Sequence, residues 1–224
     1  MKNKPLWLLA LFSLAACVLH ASILFTPFNF YLYSSAFKIF LFIAFPLIFY
    51  RLVLKENFTR TLFVKGNGRN ILLSFALGVG VFLFIWGAFF LFRPLIDSQL
   101  IADALDVNGI TPDNFHFVFI YIVLINATLE QVFFRGFVFQ TLHRKGHKGY
   151  AHAYSSGLFS LYHVPIIWGA VSWEILLLSV VGLVVAGLIF NFLAVKCKNL
   201  AGSIIVHVSA NFALNTIVLY NLHV

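Results

Sequence analysis

A single carboxylate in the middle of an apolar stretch constrains this chain more than any other feature. Glu130 lies within residues 121–135, and apolar residues suited to lipid flank it on both sides. A charged side chain at the centre of a bilayer costs roughly 2.5–3.5 kcal/mol on insertion scales. Because ionisable residues inside membrane segments usually belong to a pathway or a catalytic site, Glu130 predicts a polar functional site.

The composition is typical of an integral membrane protein. Of the 224 residues, 62% are hydrophobic and 10% are charged, whereas average globular chains have about 25% charged residues. Several apolar runs approach or exceed the ~20 residues of a spanning helix. We therefore predict an all-α, polytopic transmembrane helical bundle that forms one integral membrane domain over residues 1–224. The net charge of +8 comes from basic residues in short loops, which favours topology signals over nucleic-acid binding.

Seven apolar segments predict seven spans, with bounds at about 6–25, 36–54, 70–93, 115–140, 151–169, 174–195 and 200–222. Lysine- and arginine-rich loops alternate with acidic loops, which predicts a cytoplasmic N-terminus and a C-terminus outside the cell. A prokaryotic plasma membrane fits this pattern. The first three spans are expected to serve packing and substrate access. Residues 95–112 predict a short amphipathic helix at the outer surface.

The N-terminus allows a second interpretation. Residues 14–17 end in Cys17 and resemble a lipoprotein signal that would be cleaved before this cysteine. The apolar run continues through residues 18–25, where a lipoprotein would usually turn polar. An ordinary first transmembrane helix is therefore favoured.

Three isolated polar residues on three predicted helices reach similar depths from the cytoplasmic side. From the rise of an α-helix, Glu130 lies about 15 Å deep, His163 about 18 Å and His207 about 11 Å. Asn126 lies one turn before Glu130, and Asn211 shares the helix face of His207 at i+4. Either histidine alone could be a helix–helix hydrogen-bond partner. Together with Glu130, they predict one polar site inside the bundle.

Three further residues accompany this set. Arg135 could snorkel to the interface, brace a neighbouring helix, or form an ion pair with Glu130. Gln131 points about 100° away from Glu130 on a regular α-helix, so it need not enter the same site. Phe159 lies one turn before His163.

The pattern of these residues resembles the CAAX protease and bacteriocin-processing (CPBP, or Abi) family, whose motifs read EExxxR, FxxxH and HxxxN on separate membrane helices. The matching residues are Glu130-Gln131-x-x-x-Arg135, Phe159-x-x-x-His163 and His207-x-x-x-Asn211. The resemblance covers about residues 115–220, within an expected catalytic core of 115–222. It implies an intramembrane endopeptidase, of glutamic type or a metalloprotease, that acts in the lipid bilayer on a membrane protein or peptide.

The resemblance also implies a role for each motif residue. Glu130 matches the catalytic glutamate and would act as general base, and His163 would hold the water. His207 and Asn211 would donate hydrogen bonds to the oxyanion. Arg135 and Phe159 would support the structure. Gln131 replaces the second glutamate, and this departure leaves open an alternative: an impaired relative that acts as a membrane scaffold or regulator.

Two other chemistries compete with a glutamate mechanism that needs no cofactor. Glu130, His163 and His207 could form a zinc site with a water as fourth ligand, although the sequence has no HExxH motif. A transporter could use the same residues as a proton relay. That interpretation predicts paired broken helices and an inverted repeat, which the sequence lacks. The metal-free protease is the favoured hypothesis.

Overall fold

The chain folds as an all-α bundle, as the sequence predicts. The computed structural model describes residues 4–26, 31–59 and 68–222, and this part of the chain contains eight helices. The helices are α1 (Lys4–Leu24), α2 (Tyr31–Phe49, continued by a π-helical turn over Tyr50–Leu54), α3 (Gly68–Phe92), α4 (Ser98–Val107), α5 (Phe115–Arg144), α6 (Lys148–Ile167), α7 (Trp173–Cys197) and α8 (Ala201–Leu222).

Six of the described helices are long and apolar enough to cross a membrane, namely α1, α2, α3, α5, α7 and α8. The predicted fifth span, 151–169, falls on α6, whose apolar residues are interrupted by His152 and His163. The count of seven spans and the orientation of the termini therefore stay predictions. Cys17, the residue of the lipoprotein interpretation, is buried within α1.

The predicted amphipathic helix between the third and fourth spans is confirmed as α4. It begins after Asp97, whose Oδ1 accepts hydrogen bonds from the backbone N–H groups of Gln99 and Leu100. These contacts satisfy two of the N–H groups that a helix leaves unpaired at its first turn. Its position at the outer membrane surface stays a prediction.

Helix α5 lies at the centre of the bundle, in contact with α2, α6, α7 and α8. The phenylalanines of its second half, at positions 133, 134, 137 and 139, are completely buried, and the ring of Phe133 stacks on Phe42 of α2 with centroids 4.1 Å apart. Large apolar side chains such as Leu72 and Phe84 of α3 are instead about three-quarters exposed. Exposed apolar surface of this kind is suited to lipid, so a polar residue on the inner part of α5 lies far from both lipid and bulk water.

Helices α6 and α7 cross at very close range. A Cβ atom at Gly187 of α7 would lie 2.8 Å from the Cα of Ser156 on α6, so only glycine fits. Close by, the buried Asn191 amide donates to Ser156 Oγ at 3.1 Å. Small residues and polar side chains commonly join helices in membranes in this way. This crossing fixes the position of α6, which carries His163.

Replacement of Gly187 by leucine is expected to lower the melting temperature of the detergent-purified protein, because α6 and α7 must separate to make room for the side chain. Overpacking typically costs about 1–3 kcal/mol, and here the obstacle is backbone. Gly182→Leu is the matched control on the same helix, since a Cβ at Gly182 meets no atom within 4 Å. Equal melting temperatures for the two variants would contradict this account of the crossing.

Candidate active site

The Glu130 carboxylate is the centre of a buried polar cluster. The side chain is 1% exposed, and its two oxygens have different surroundings. Oε1 accepts hydrogen bonds from Lys38 Nζ at 2.6 Å and from Asn126 Nδ2 at 3.1 Å. Oε2 lies 3.5 Å from His163 Nε2 and 3.7 Å from His207 Nε2, and it has no hydrogen-bond partner. The structure therefore brings together Glu130, the two histidines and Asn126, as the sequence predicts.

Lys38 of α2 is the site residue that the sequence analysis missed. Its ammonium group contacts Glu130 Oε1 and donates a second hydrogen bond to Asn126 Oδ1. A lysine inside an apolar segment carries the same insertion cost as a buried carboxylate, and this is the signal that could have found it. The first three spans are expected to serve packing and substrate access, and α2 in addition supplies the cation that contacts Glu130.

His163 presents an unprotonated ring nitrogen to the Glu130 carboxylate when the ring is neutral. Its Nδ1 lies 2.7 Å from the carbonyl oxygen of Phe159. A carbonyl oxygen can only accept, so Nδ1 carries the hydrogen and the neutral ring has a lone pair at Nε2. This lone pair faces Glu130 Oε2, which is also an acceptor. A molecule that donates two hydrogens, such as water, would satisfy both of these acceptors.

His207 has the opposite tautomer, and Gln131 determines it. The amide nitrogen of Gln131 lies 2.8 Å from His207 Nδ1. Because an amide nitrogen can only donate, Nδ1 is the acceptor and the ring hydrogen is at Nε2. His207 therefore presents an N–H donor to the same region to which His163 presents an acceptor. Gln131 and His207 are both buried, which strengthens the hydrogen bond between them.

The backbone around Glu130 explains why Gln131 faces the site. Glu130 ends a short α-helical stretch, Ala127–Glu130, between two π-helical stretches, Tyr121–Asn126 and Gln131–Phe139. A π-helical turn contains more residues than an α-helical turn, so successive side chains are separated by a smaller angle. Gln131 begins the second π-helical stretch and contacts His207, although the regular α-helix assumed from the sequence turned its side chain away from Glu130. Such π-helical segments occur frequently at functional sites.

Asn211 lies one turn after His207 on α8 but contacts a different part of α5. Its Nδ2 donates to the backbone carbonyl of Ile122 at 3.0 Å. Ile122 belongs to the π-helical stretch before Glu130. In this structure Asn211 therefore holds α8 against α5, and one of its two amide hydrogens is used for this purpose.

Arg135 braces neighbouring helices, which is one of the three interpretations of the sequence. Its side chain is completely buried, so it does not snorkel to the interface. The guanidinium lies 4.2 Å from the ring centroid of Phe159 on α6 and 4.8 Å from that of Phe190 on α7. The ion-pair partner of Glu130 is Lys38 instead. Contacts of a cation with aromatic faces partly offset its desolvation.

A zinc ion, the alternative to a metal-free site, would have Glu130, His163 and His207 as its ligands. Among the described residues, no group of three or more His, Cys, Asp or Glu side chains is arranged to hold a metal ion. The ammonium of Lys38 is bonded to the same carboxylate that would bind the metal. In addition, His207 carries its hydrogen on Nε2, and a histidine must be bare at the ligating nitrogen. Metal independence of the activity itself stays a prediction.

Comparison with known proteins gives one match. The family model of the type II CAAX prenyl endopeptidases, Rce1-like, matches residues 112–213. This segment contains the three motifs and runs from just before α5 to within α8. No curated protein and no solved structure matches the chain. The resemblance predicted from the three motifs is thereby confirmed for residues 112–213, which match the Rce1-like, CAAX-protease type.

Proposed function

We propose that the chain is an intramembrane endopeptidase of the CAAX-protease type, which hydrolyses a peptide bond in a membrane-associated protein or peptide. Glu130 is the general base in this proposal. One observation carries it: Glu130 Oε2 has no hydrogen-bond partner and faces the acceptor nitrogen of His163 and the donor nitrogen of His207. The family match supports a peptidase with a membrane-associated protein substrate.

The proposed reaction begins with a water beside Glu130 Oε2 and His163 Nε2, which donates one hydrogen to each. As the water oxygen attacks the peptide carbonyl carbon, Glu130 takes one proton from it. The negative charge on the carbonyl oxygen is stabilised by the Nε2–H of His207. The second amide hydrogen of Asn211, which Ile122 does not use, is a further candidate donor. Glu130 then returns its proton to the amide nitrogen as the C–N bond breaks.

Gln131 is the feature on which the impaired-relative alternative rests. In the described structure its amide makes the hydrogen bond that orients His207. A glutamine at this position therefore keeps the Nε2–H donor that the proposed reaction needs. This favours an active enzyme over a scaffold.

Replacement of Gln131 by leucine is expected to lower kcat about tenfold, because a buried neutral hydrogen bond contributes about 1 kcal/mol and His207 loses its fixed tautomer. Gln131→Glu is the matched variant of similar shape. A carboxylate can only accept, so His207 keeps its Nε2–H only when the ring is doubly protonated, and kcat of this variant should rise as the pH is lowered. Absence of peptide hydrolysis by the native chain, together with hydrolysis by the Gln131→Glu variant, would instead support the impaired-relative alternative.

The proposed function is tested by incubating the detergent-purified protein with a quenched peptide library, with and without a strong chelator. Cleavage that survives chelation is the expected result. Cleavage that disappears on chelation and returns with zinc would establish the metalloprotease alternative. No cleavage of any peptide by the well-folded chain would contradict the proposed function and favour a role in binding.

A further inference from the structure

Lys38, which lies outside the segment that matches the family, completes the site from the N-terminal part of the chain. The family match begins at residue 112, whereas Lys38 belongs to α2. Its side chain is 7% exposed, and its ammonium is bonded to the carboxylate of Glu130. We propose that Lys38 is a positioning residue, which holds one oxygen of Glu130 so that the other faces the reacting water. This inference rests on the proposed function.

The first argument is that Lys38 makes the two carboxylate oxygens unequal. A free carboxylate can present either oxygen to a substrate by rotation about its last bond. Here Lys38 Nζ and Asn126 Nδ2 both bond to Oε1, and Oε2 is left for the two histidines. Because Lys38 also donates to Asn126 Oδ1, the three side chains form a closed ring of hydrogen bonds. Rotation of the carboxylate would break two of these bonds at once.

The second argument is that Lys38 itself has little freedom. Its Nζ lies 5.0 Å from the ring centroid of Tyr162 on α6 and 5.7 Å from that of Phe42 on α2. Both aromatic residues are buried. The ammonium is therefore held between two aromatic faces and one carboxylate, and its side chain is largely buried. A cation fixed in this way can hold the base in one orientation, which general-base catalysis requires.

The test compares the steady-state kinetics of three variants with those of the native chain. Lys38→Arg keeps the charge and the donor, Lys38→Gln keeps a donor alone, and Lys38→Met keeps neither. We expect kcat to fall about 10- to 100-fold in Lys38→Met, since misplacement of a reacting group by about 1 Å has effects of this size. Lys38→Arg should recover most of kcat, and KM should change less than threefold throughout. A folded Lys38→Met with native kcat would overturn the inference.

If Lys38→Met fails to fold because its buried glutamate has lost the cation, the other variants test whether Lys38 positions Glu130. A drop of kcat of tenfold or more in Lys38→Gln would support the inference, and an unchanged kcat would overturn it. If this variant also fails to fold, Asn126→Leu decides, because it removes the second donor to Oε1 and leaves the ion pair intact. Native kcat would support Lys38 as the group that holds Oε1, and a loss of tenfold or more would assign this role to Asn126 and overturn the inference.

Thermal unfolding separates failure of this inference from failure of the proposed function. The double variant Lys38→Met/Glu130→Gln should be more stable than either single variant, because it buries no unpaired charge. Hydrolysis by the native chain with kcat independent of Lys38 would overturn the inference alone. Absence of hydrolysis by the native chain would overturn both, even where the thermal data show that the two residues are coupled.

Discussion

Replacement of Glu130 by glutamine is expected to lower peptide hydrolysis about 1,000-fold. The amide has nearly the same shape as the carboxylate but cannot take a proton from water, and a general base contributes typically 10²–10⁴-fold. Glu130 Oε2 is the oxygen that faces both histidines, and the ion pairs of the described residues place no other carboxylate beside them. The measurement is kcat for a cleaved library peptide, determined on protein that elutes as one species in detergent.

Two controls accompany this prediction. Glu56→Gln removes another glutamate that forms ion pairs, with Arg144 and Lys145, but these groups are largely exposed and distant from the site; activity should remain at the native level. Because Glu130→Gln leaves the ammonium of Lys38 unpaired, the neutral double variant Lys38→Met/Glu130→Gln shows whether lost activity reflects lost fold. A stable, active double variant would contradict Glu130 as the base.

Replacement of His207 by phenylalanine is expected to lower kcat about 100- to 1,000-fold, with a much smaller change of KM. Loss of one donor to a developing oxyanion has effects of this size. The ring of His207 already packs against the rings of Phe190 at 5.0 Å and Phe159 at 5.8 Å between centroids, so phenylalanine fits the surrounding cluster. His152→Phe is the matched control, because His152 packs on Phe139 of α5 outside the site.

The pairing of His207 with Gln131 gives this prediction a second readout. If Gln131 acts only through His207, then Gln131→Leu should lower kcat in the native chain but not in the His207→Phe variant. Additive effects of the two changes would mean that Gln131 has a separate role. In that case the tautomer argument for His207 would be wrong.

The centre of the candidate site could be predicted because isolated polar residues are expensive in an apolar segment. Glu130, His163 and His207 each interrupt such a segment, and the rise of an α-helix alone placed them at similar depths. The structure brings the Nε2 atoms of both histidines within 3.5–3.7 Å of Glu130 Oε2. Helix bounds were also predictable to within a few residues, since spans must match the thickness of the bilayer.

Lys38 and Gln131 escaped prediction for reasons of local geometry. The predicted second span began at residue 36, which left Lys38 at its edge, where a lysine can reach water. Helix α2 begins at Tyr31, so Lys38 lies about two turns inside it. Gln131 was turned away from Glu130 by an assumed regular α-helix, and the π-helical stretch Gln131–Phe139 depends on tertiary packing that the sequence pattern does not reveal.

The Lys38–Glu130 pair also has a consequence for how the protein is made. The two residues are 92 positions apart in the chain, so α2 leaves the ribosome long before α5. Until α5 enters the bilayer, the ammonium of α2 has no carboxylate to neutralise it, and a newly inserted N-terminal half carries an uncompensated charge. Arrival of α5 removes this charge and joins the two helices in one step. The Lys38–Glu130 part of the candidate site therefore forms when α5 joins α2, before α6 and α8 bring His163 and His207 to it.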